Sequence, residues 1–394
     1  MVQPIMGGCP IHGTVVRVFQ RARRVVSLAI HRKRGGSAAK EENLDQGLFE
    51  RLVSTPGISG REERMREVVV EILEDLVDEI NVDRLGNVIG LRRGDRPRVM
   101  LAAHMDSIGF LAKHIDDKGF IWVSPVGGFD PRTLNAQRVL VSGKKEYVGL
   151  MSPKSKPIHV LTDEERKKTP SMEDVFVDVM APADEVKENV PLGTPITLYR
   201  QPVFNDHSFS APYLDDRLGV YILLEALKEA RDTKAEIYAV ISVQEEVGLR
   251  GARTSAFGID PDMGVALDIT LATDTPGSDP TQVVTELGKG VGITVMDGYS
   301  ISDPRLVEHF QRLADDNGID YQLEMLPKGG TDAGTIQMAR AGVPVITISP
   351  PVRYVHTANE MGSIQEVDDT VALMVRFLAS AHEIDLVWEG ASES

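Results

Sequence analysis

Residues 237–252 read IYAVISVQEEVGLRGA, an apolar run followed by a pair of glutamates. The first part, residues 237–243, is short and rich in β-branched residues, which predicts a buried β-strand. The carboxylates of Glu245 and Glu246 come directly after that strand. In open α/β sheets, ligands bind in the crevice outside the carboxyl ends of the strands. The stretch therefore predicts an α/β fold with a polar site at this end of the sheet.

Helices and apolar strands alternate through the later half of the chain. Apolar residues at helical spacing predict helices, and short continuous apolar runs predict buried strands. A further helix is predicted after Ser59 and Glu62, which have the spacing of a capping box. This alternation predicts an α/β fold with a mixed, largely parallel sheet flanked by helices. The predicted strands are 99–103, 237–243, 264–267 and 343–349, and the predicted helices are 217–230, 304–317 and 371–382.

Residues 107–205 differ in composition from the segments on either side. They are rich in Gly, Pro and short β-branched runs, at 120–123, 139–141, 175–179 and 195–199. This composition predicts a small β-barrel or sandwich inserted into the α/β domain. We therefore predict an α/β catalytic domain of residues 44–106 and 206–394, an inserted β-rich domain of residues 107–205, and an N-terminal extension of residues 1–43.

Charge is distributed unevenly along the 394 residues. The formal net charge is -16, yet residues 1–40 contain eight Lys and Arg and no Asp or Glu. The acidic remainder makes nucleic acid and an anionic membrane surface poor partners. We predict that the basic segment is a disordered extension, with a targeting segment and a start codon assigned too early as the alternatives.

Cys9 is the only cysteine in the sequence. An intrachain disulfide is then impossible, any metal must be held by His and carboxylates, and a cytoplasmic protein is expected. No apolar run reaches the length of about 18 residues that a membrane-spanning helix needs.

Five candidate metal ligands lie close to the ends of predicted strands or to the start of a predicted helix. Taken alone, each has an ordinary structural explanation, such as capping a helix or ending a strand. Together they form a set of imidazoles and carboxylates that suits two borderline metal ions without a thiolate. Two such ions can polarise a carbonyl and lower the pKa of a shared water, which predicts amide hydrolysis. The candidates are His104, Asp215, Glu246, Asp268 and His356.

Two neighbouring acidic features supply candidates for proton transfer and for support of a ligand. The adjacent carboxylates Glu245 and Glu246 would repel each other unless a cation compensates, and a divalent metal would supply that charge. One of the two can then bind metal while the other removes a proton from a metal-bound water as general base. A solvated acidic loop is the alternative. Asp106, two residues after His104, could accept a hydrogen bond from the imidazole nitrogen that does not face the metal.

Five short motifs occur in an order that is itself informative. They are AHMDSIG at 103–109, LDDR at 214–217, QEEVGLRGA at 244–252, GTDA at 330–333 and YVH at 354–356. With these motifs the chain resembles the tetrahedral (TET) or deblocking aminopeptidases, a family of dinuclear metallopeptidases, over residues 44–385. Some members of that family bear the name glutamyl aminopeptidase, and others the name endoglucanase.

The resemblance implies a fold, an activity and an assembly. The fold would be zinc-aminopeptidase-like with an inserted β-domain, and the activity would remove N-terminal residues from peptides. Two divalent metal ions per chain, Zn²⁺ or Co²⁺, are implied, and members commonly form tetrahedral dodecamers whose active sites face an inner chamber. The implied roles are His104 and Asp268 at one ion, Glu246 and His356 at the other, Asp215 as the bridge, Glu245 as the base and Asp106 as the residue that orients His104.

The loop of Gly330, Thr331 and Asp332 is a candidate for substrate binding. Its glycines would let the backbone approach a substrate closely, and a glycine turn before a helix is the alternative. The residue preferred at the N-terminus of a substrate is left open, because loops that the sequence does not place would form the pocket.

Other functions remain open from the sequence. Another two-metal amidohydrolase, such as a carboxypeptidase or an N-acyl amino acid deacylase, would use similar ligands. A non-catalytic scaffold that keeps the fold is a further alternative. A glycosidase would typically need two carboxylates flanking a sugar and no metal.

Overall fold

The structure is a computed structural model, and it describes residues 44–231 and 233–386. The basic extension predicted over residues 1–43 lies outside the described residues. Within the described ranges, no helix is both long enough and apolar enough to cross a membrane.

The elements before the barrel form one side of the α/β domain. They are α1 (Gln46–Ser54), α2 (Glu63–Leu73), β1 (Glu79–Val82), β2 (Val88–Arg92) and β3 (Asp95–His104). Among the described residues, no side chain caps α2, because the Ser59 hydroxyl donates a hydrogen bond to Asp106 at 2.6 Å instead. The carboxylate of Glu62 accepts from the Gly60 N–H at 2.6 Å. The capping box predicted for Ser59 and Glu62 is therefore wrong.

The inserted segment forms a closed barrel with the strand order β4-β5-β8-β7-β6-β9. Its interior is filled by apolar side chains such as Phe110, Val139 and Ile196. The barrel, rather than a sandwich, is thus the architecture of this segment, while the domain boundaries stay a prediction. The elements are β4 (Gly109–Ile115), β5 (Ile121–Val126), β6 (Gln137–Ser142), β7 (Glu146–Pro153), α3 (Asp163–Lys167), β8 (Val175–Asp178), α4 (Ala183–Asn189) and β9 (Pro195–Leu198).

The elements after the barrel complete the α/β domain. The last helix begins at Ile364, seven positions before the predicted start, and the Ser363 hydroxyl caps it by accepting from the Glu366 N–H. The elements are β10 (Val203–Phe204), β11 (Ser208–Ala211), α5 (Leu214–Glu229), β12 (Ala235–Ser242), α6 (Arg250–Ile259), β13 (Met263–Leu267), β14 (Thr270–Leu271), β15 (Val291–Asp297), α7 (Pro304–Asn317), β16 (Tyr321–Leu326), α8 (Ala333–Gln337), β17 (Val345–Ser349), β18 (Pro351–Arg353), β19 (Glu360–Ser363) and α9 (Ile364–Ser380).

The main sheet has the strand order β1-β2-β12-β3-β13-β17-β15-β16 in the described part of the chain. Strands β12, β3, β13 and β17 are parallel neighbours, and β15 is parallel to β16. The pairs β1–β2, β2–β12 and β15–β17 are antiparallel. The sheet is therefore mixed and largely parallel, which confirms the predicted α/β class.

Strand β3 shows why the central strands read as continuous apolar runs. Val99, Leu101 and Ala103 pack into the core on the side of α5 and α9, whereas Met100 and Ala102 pack on the side of α6 and α8. Alternate side chains of a strand point to opposite faces, so a strand covered on both faces needs apolar residues throughout. His104 ends this run at the carboxyl edge of the sheet.

A second, smaller sheet has the order β10-β11-β19-β18-β14 among the described residues. Strand β11 leads into the loop before α5, and the connection between β18 and β19 carries His356. The small sheet therefore brings two loops, distant in sequence, to the edge of the main sheet where β3 ends.

Candidate metal centre

His104 brings its imidazole to the carboxyl edge of β3. The side chain is 2 % exposed, and Nδ1 lies 3.0 Å from the carbonyl oxygen of Asp106. Because a carbonyl can only accept, Nδ1 is the donor in this contact. Nε2 then faces the opposite way, toward Asp215, and is free to bind a metal ion in the neutral ring.

Asp215 lies between the two candidate histidines. Its Oδ1 is 3.1 Å from His104 Nε2, and its Oδ2 is 3.3 Å from His356 Nε2. Asp215 precedes the regular part of α5, since Asp215 and Asp216 have non-helical backbone angles, and the peptide bond between them is cis. The two distances show that the two oxygens of the Asp215 carboxylate face two different imidazoles.

The candidate ligand atoms fall into two groups that share Asp215. Atoms of His104, Asp215 and Asp268 all lie within 4.8 Å of one another, and the same holds for Asp215, Glu246 and His356. His356 Nε2 is 3.4 Å from Glu246 Oε2. The structure therefore brings together all five ligand candidates of the sequence, in two groups that could each hold one ion.

The charges of the centre fit metal ions. Burial is the main cause that raises the pKa of Asp268 and of Glu246, and the Asp215 carboxylate raises both further. Burial acts to lower the pKa of His356, but hydrogen bonds to Asp215 and Glu246 raise it to about 11. Glu246 Oε1 is buried and has no hydrogen-bond partner among the described residues. A divalent cation would neutralise the excess negative charge and satisfy this oxygen.

Asp106 was predicted to accept a hydrogen bond from the His104 imidazole through its carboxylate, but its carbonyl oxygen is the nearer partner. Its carboxylate is 3.6 Å from His104 Nδ1, whereas its carbonyl oxygen is the closer partner at 3.0 Å. Strand β3 ends at His104, so the strand alternation that would place both side chains on one face does not extend to Asp106. The carboxylate instead accepts from the Ser59 hydroxyl and from the N–H groups of Glu245 and Glu246, at 2.6, 3.0 and 3.3 Å. Asp106 therefore fixes the backbone of the glutamate pair.

Glu245 lies beside the first ligand group and belongs to neither of the two groups defined above. Its Oε2 is 3.7 Å from His104 Nε2, and its side chain is 11 % exposed. Burial is the main cause that raises its pKa well above the usual value, and the carboxylate of Asp268 adds to the effect. A cation among the ligands would oppose this shift. A carboxylate that is near the ligands but not engaged by them can take and return a proton.

The loop of Gly330, Thr331 and Asp332 is a turn with buried side chains. The Thr331 hydroxyl is 2.8 Å from that of Thr347, and Asp332 Oδ2 accepts from the Ser242 hydroxyl at 2.5 Å. Thr331 is 6 % exposed and Asp332 is 3 % exposed. The segment leads into α8, as expected of a glycine turn before a helix, and contact of these residues with substrate stays a prediction.

Two acidic residues that the sequence did not assign to the centre hold the ligands through their backbone. Asp216 Oδ2 accepts from the His104 N–H at 3.1 Å. Glu360 accepts from the N–H of Asp215 at 3.1 Å and from that of His356 at 2.8 Å. Burial raises the pKa of Glu360 to about 8. Asp216 was visible as half of an Asp-Asp pair, whereas the only signal for Glu360 was its place as an acidic residue shortly after His356.

The barrel supplies a wall next to the second ligand group. A Cβ added at Gly127 would lie 3.4 Å from Glu246 Oε2, and one added at Gly128 would lie 3.4 Å from His356 Nδ1. Gly127 also has a φ of +81°, which side chains rarely tolerate. The backbone after β5 therefore lies beside the ligands of the second group at Gly127 and Gly128.

Comparisons with known proteins agree with this geometry. The chain matches the family described as M42 glutamyl aminopeptidase over residues 86–373. It is 37% identical to the lysyl aminopeptidase of Pyrococcus furiosus over 348 residues, which is 87% of this chain and 99% of the relative. The structure resembles aminopeptidase APDkam598 of Desulfurococcus kamchatkensis with a TM-score of 0.81, at 36% identity and covering 86% of this chain and 97% of the other. It also resembles the TET1 peptidase of Pyrococcus horikoshii, with a TM-score of 0.76 at 30% identity, covering 84% and 98% of the two chains.

Proposed function

The chain belongs to the M42 glutamyl aminopeptidase family, and from this membership we propose that it removes N-terminal residues from peptides at a centre of two divalent metal ions. It is an aminopeptidase, a hydrolase of peptide bonds. The observation that carries the proposal is the position of Asp215, whose two oxygens face His104 and His356 separately. A carboxylate shared by two ligand groups is suited to a pair of ions.

Imidazole and carboxylate side chains would hold both ions. This ligand set contains no thiolate and suits Zn²⁺ or Co²⁺, which are the ions we propose. When bound, the ions would polarise the peptide carbonyl and lower the pKa of the attacking water. His104 and Asp268 would hold one ion, Glu246 and His356 would hold the other, and Asp215 would bind both.

Glu245 is the general base of the proposed reaction. Its carboxylate would take a proton from the attacking water as the new C–O bond forms, and would return it to the amide nitrogen as the C–N bond breaks. Asp106 holds the backbone of Glu245 and Glu246 with one carboxylate. This arrangement keeps the base at a fixed distance from the neighbouring ligand.

A panel of substrates tests the reaction class. Peptides and aminoacyl anilides with a free α-amine are expected to be cleaved, and the same compounds with an acetylated amine at least about 100-fold more slowly. The physical reason is that a site built for a charged amine leaves buried polar groups unpaired when the amine is blocked. Release of the chromogenic anilide and mass spectrometry of the peptides measure both rates.

The same panel separates the aminopeptidase from the related amidohydrolases. Turnover of N-acyl amino acids alone would identify a deacylase, and release of residues from the C-terminus alone would identify a carboxypeptidase. Either result would overturn the proposed reaction. The panel should include N-terminal Lys and Glu, because the family description names glutamyl residues and the Pyrococcus furiosus relative is named for lysyl residues.

We also propose that copies of the chain form a homo-oligomer, with a tetrahedral dodecamer as the expected form. The proposal is supported by the likeness to the TET1 peptidase of Pyrococcus horikoshii, which can assemble into a tetrahedron or a large octahedral shell. Light scattering after gel filtration is expected to give about twelve times the mass of one chain, the stoichiometry of the TET1 dodecamer. The mass of a single chain would contradict the proposal. A cytoplasmic location stays an expectation from the cysteine content.

A further inference from the structure

Glu360 is a buried carboxylate between the two loops that carry Asp215 and His356. It is the first residue of β19, where it pairs with Ala211 of β11, and it is 2 % exposed. Strand β11 leads into the Asp215 loop, and the His356 loop leads into β19. Glu360 therefore lies where the Asp215 loop leaves β11 and the His356 loop enters the neighbouring strand β19.

Each oxygen of Glu360 is engaged by a different ligand residue. Oε1 accepts from the His356 N–H at 2.8 Å, and Oε2 accepts from the Asp215 N–H at 3.1 Å. Both contacts are made to the backbone, so they fix the position of each residue and leave its side chain free for metal. One carboxylate thus links the main chains of two proposed ligands that are far apart in sequence.

The backbone on both sides of this contact adopts conformations that need support. His356 has a φ of +61°, Tyr354 has a φ of +62°, and Tyr213, two residues before Asp215, has a φ of +65°. Residues with a Cβ rarely adopt left-handed angles, and they do so where the surrounding structure determines the backbone. The hydrogen bond from the His356 N–H to Glu360 provides such a constraint.

We propose that Glu360 is a positioning residue for the second ligand group, which fixes the spacing between Asp215 and His356 by accepting a hydrogen bond from the backbone of each. The spacing at issue is the 3.3 Å between Asp215 Oδ2 and His356 Nε2. This inference rests on the proposed function, because it assumes that both side chains hold metal. Glu360 itself belongs to neither of the two ligand groups, and its two oxygens accept hydrogen bonds from the backbone.

The proposal makes the two metal ions respond differently to the loss of Glu360. Glu360 contacts two of the three ligands of the second group, Asp215 and His356. In the first group it contacts only Asp215, while His104 and Asp268 do not depend on it. Residues that support metal ligands typically change metal affinity by about 10 to 100-fold when they are replaced. The affinity of the second group for its ion should therefore fall by this factor, and the affinity of the first group should change much less.

Metal titrations of the full chain test the proposal. Metal-free wild type, Glu360→Ala and Glu360→Gln are titrated with Zn²⁺ in competition with a chromophoric chelator, and circular dichroism reports whether each variant folds. We expect the wild type to bind two equivalents of Zn²⁺. In both variants, the affinity for one of the two equivalents should be about 10 to 100-fold lower. Glutamine keeps the volume of the side chain but retains only one acceptor oxygen, so at least one N–H loses its partner. If the alanine variant does not fold, the glutamine variant decides.

Glu366→Gln is the matched control, because Glu366 is also a buried carboxylate that accepts hydrogen bonds from the backbone. Its Oε1 accepts from the N–H groups of Gly288, Lys289 and Gly290, at 2.8, 3.1 and 3.0 Å. None of these is a proposed ligand, so this variant should bind both equivalents as the wild type does.

The outcomes distinguish failure of this inference from failure of the proposed function. A wild type that binds two ions, with Glu360 variants of unchanged affinity, would overturn the positioning role alone. Equal weakening of both equivalents, or the same loss in Glu366→Gln, would also overturn it, because the effect would then not be specific to the ligand group that contains His356. A wild type that binds no Zn²⁺ would overturn the metal centre itself.

Discussion

Replacing Glu245 with glutamine is expected to lower kcat by about 10² to 10⁴-fold while the metal content stays at the wild-type level. Glutamine has nearly the same shape as glutamate but cannot accept a proton from water. Glu245 lies outside both ligand groups, and its backbone is held by Asp106 through a contact that the substitution leaves intact. The change therefore removes proton transfer and little else.

The neighbouring substitution Glu246→Gln is the matched control for Glu245→Gln. It makes the same chemical change one residue away, in a side chain that belongs to the second ligand group. We expect this variant to lose metal, and its activity to fall for that reason. Steady-state kinetics on an aminoacyl anilide, with metal content measured by mass spectrometry on the same samples, separate the two effects. Equal metal loss in both variants would refute the division of roles within the pair.

The fold could be predicted where a strand is buried on both faces, because such a strand is apolar along its whole length. Strands β3, β12, β13 and β17 are covered on both faces, so each reads as an apolar run that identifies it without knowledge of its neighbours. Strands β4 and β7 of the barrel were not predicted. Exposed and buried positions alternate along β7, from Glu146 to Pro153, and the exposed positions include Val148 and Leu150. Side chains that face solvent on a barrel can be apolar, and this hides the pattern.

The ligand residues could be predicted because the topology of the sheet brings them to one edge. His104 is the last residue of β3, and Asp268 directly follows β13, which is parallel to β3. In such sheets the carboxyl ends of the strands face the ligand crevice. The supporting residues could not be predicted in this way. Ser59 and Asp216 each reach a distant part of the chain through a hydrogen bond, and Glu360 joins Asp215 to His356 through two. No spacing in the sequence encodes the long-range contacts.

Asp106 illustrates how spacing can predict a pair of residues without predicting which of their atoms lie closest. The two-residue spacing from His104 pointed to the right pair, and the imidazole does bond to Asp106, but to its carbonyl oxygen. The strand ends at His104, and the chain then turns so that the carboxylate meets the backbone of Glu245 and Glu246. Periodicity predicts which face a side chain occupies only while the strand continues.

Replacing Asp215 with asparagine is expected to remove both metal ions, with a loss of affinity of more than about 100-fold, and to abolish activity at ordinary metal concentrations. Asparagine has one oxygen that can bind an ion, and its NH₂ group would face the other histidine. Asp215 is the only residue common to the two ligand groups defined here, so neither group keeps its full set of ligands. Dialysis against metal-free buffer followed by metal analysis measures the loss.

His356→Ala is the control that gives the Asp215 result its meaning, because it removes a ligand from the second group alone. One ion should remain in this variant, held by His104, Asp215 and Asp268. Retention of two ions by Asp215→Asn would refute the bridging role. Added metal provides a further distinction. Excess Zn²⁺ or Co²⁺ should restore part of the activity of His356→Ala, in which affinity is lost, but none of the activity of Glu245→Gln, in which the ions are already bound and the proton acceptor is missing.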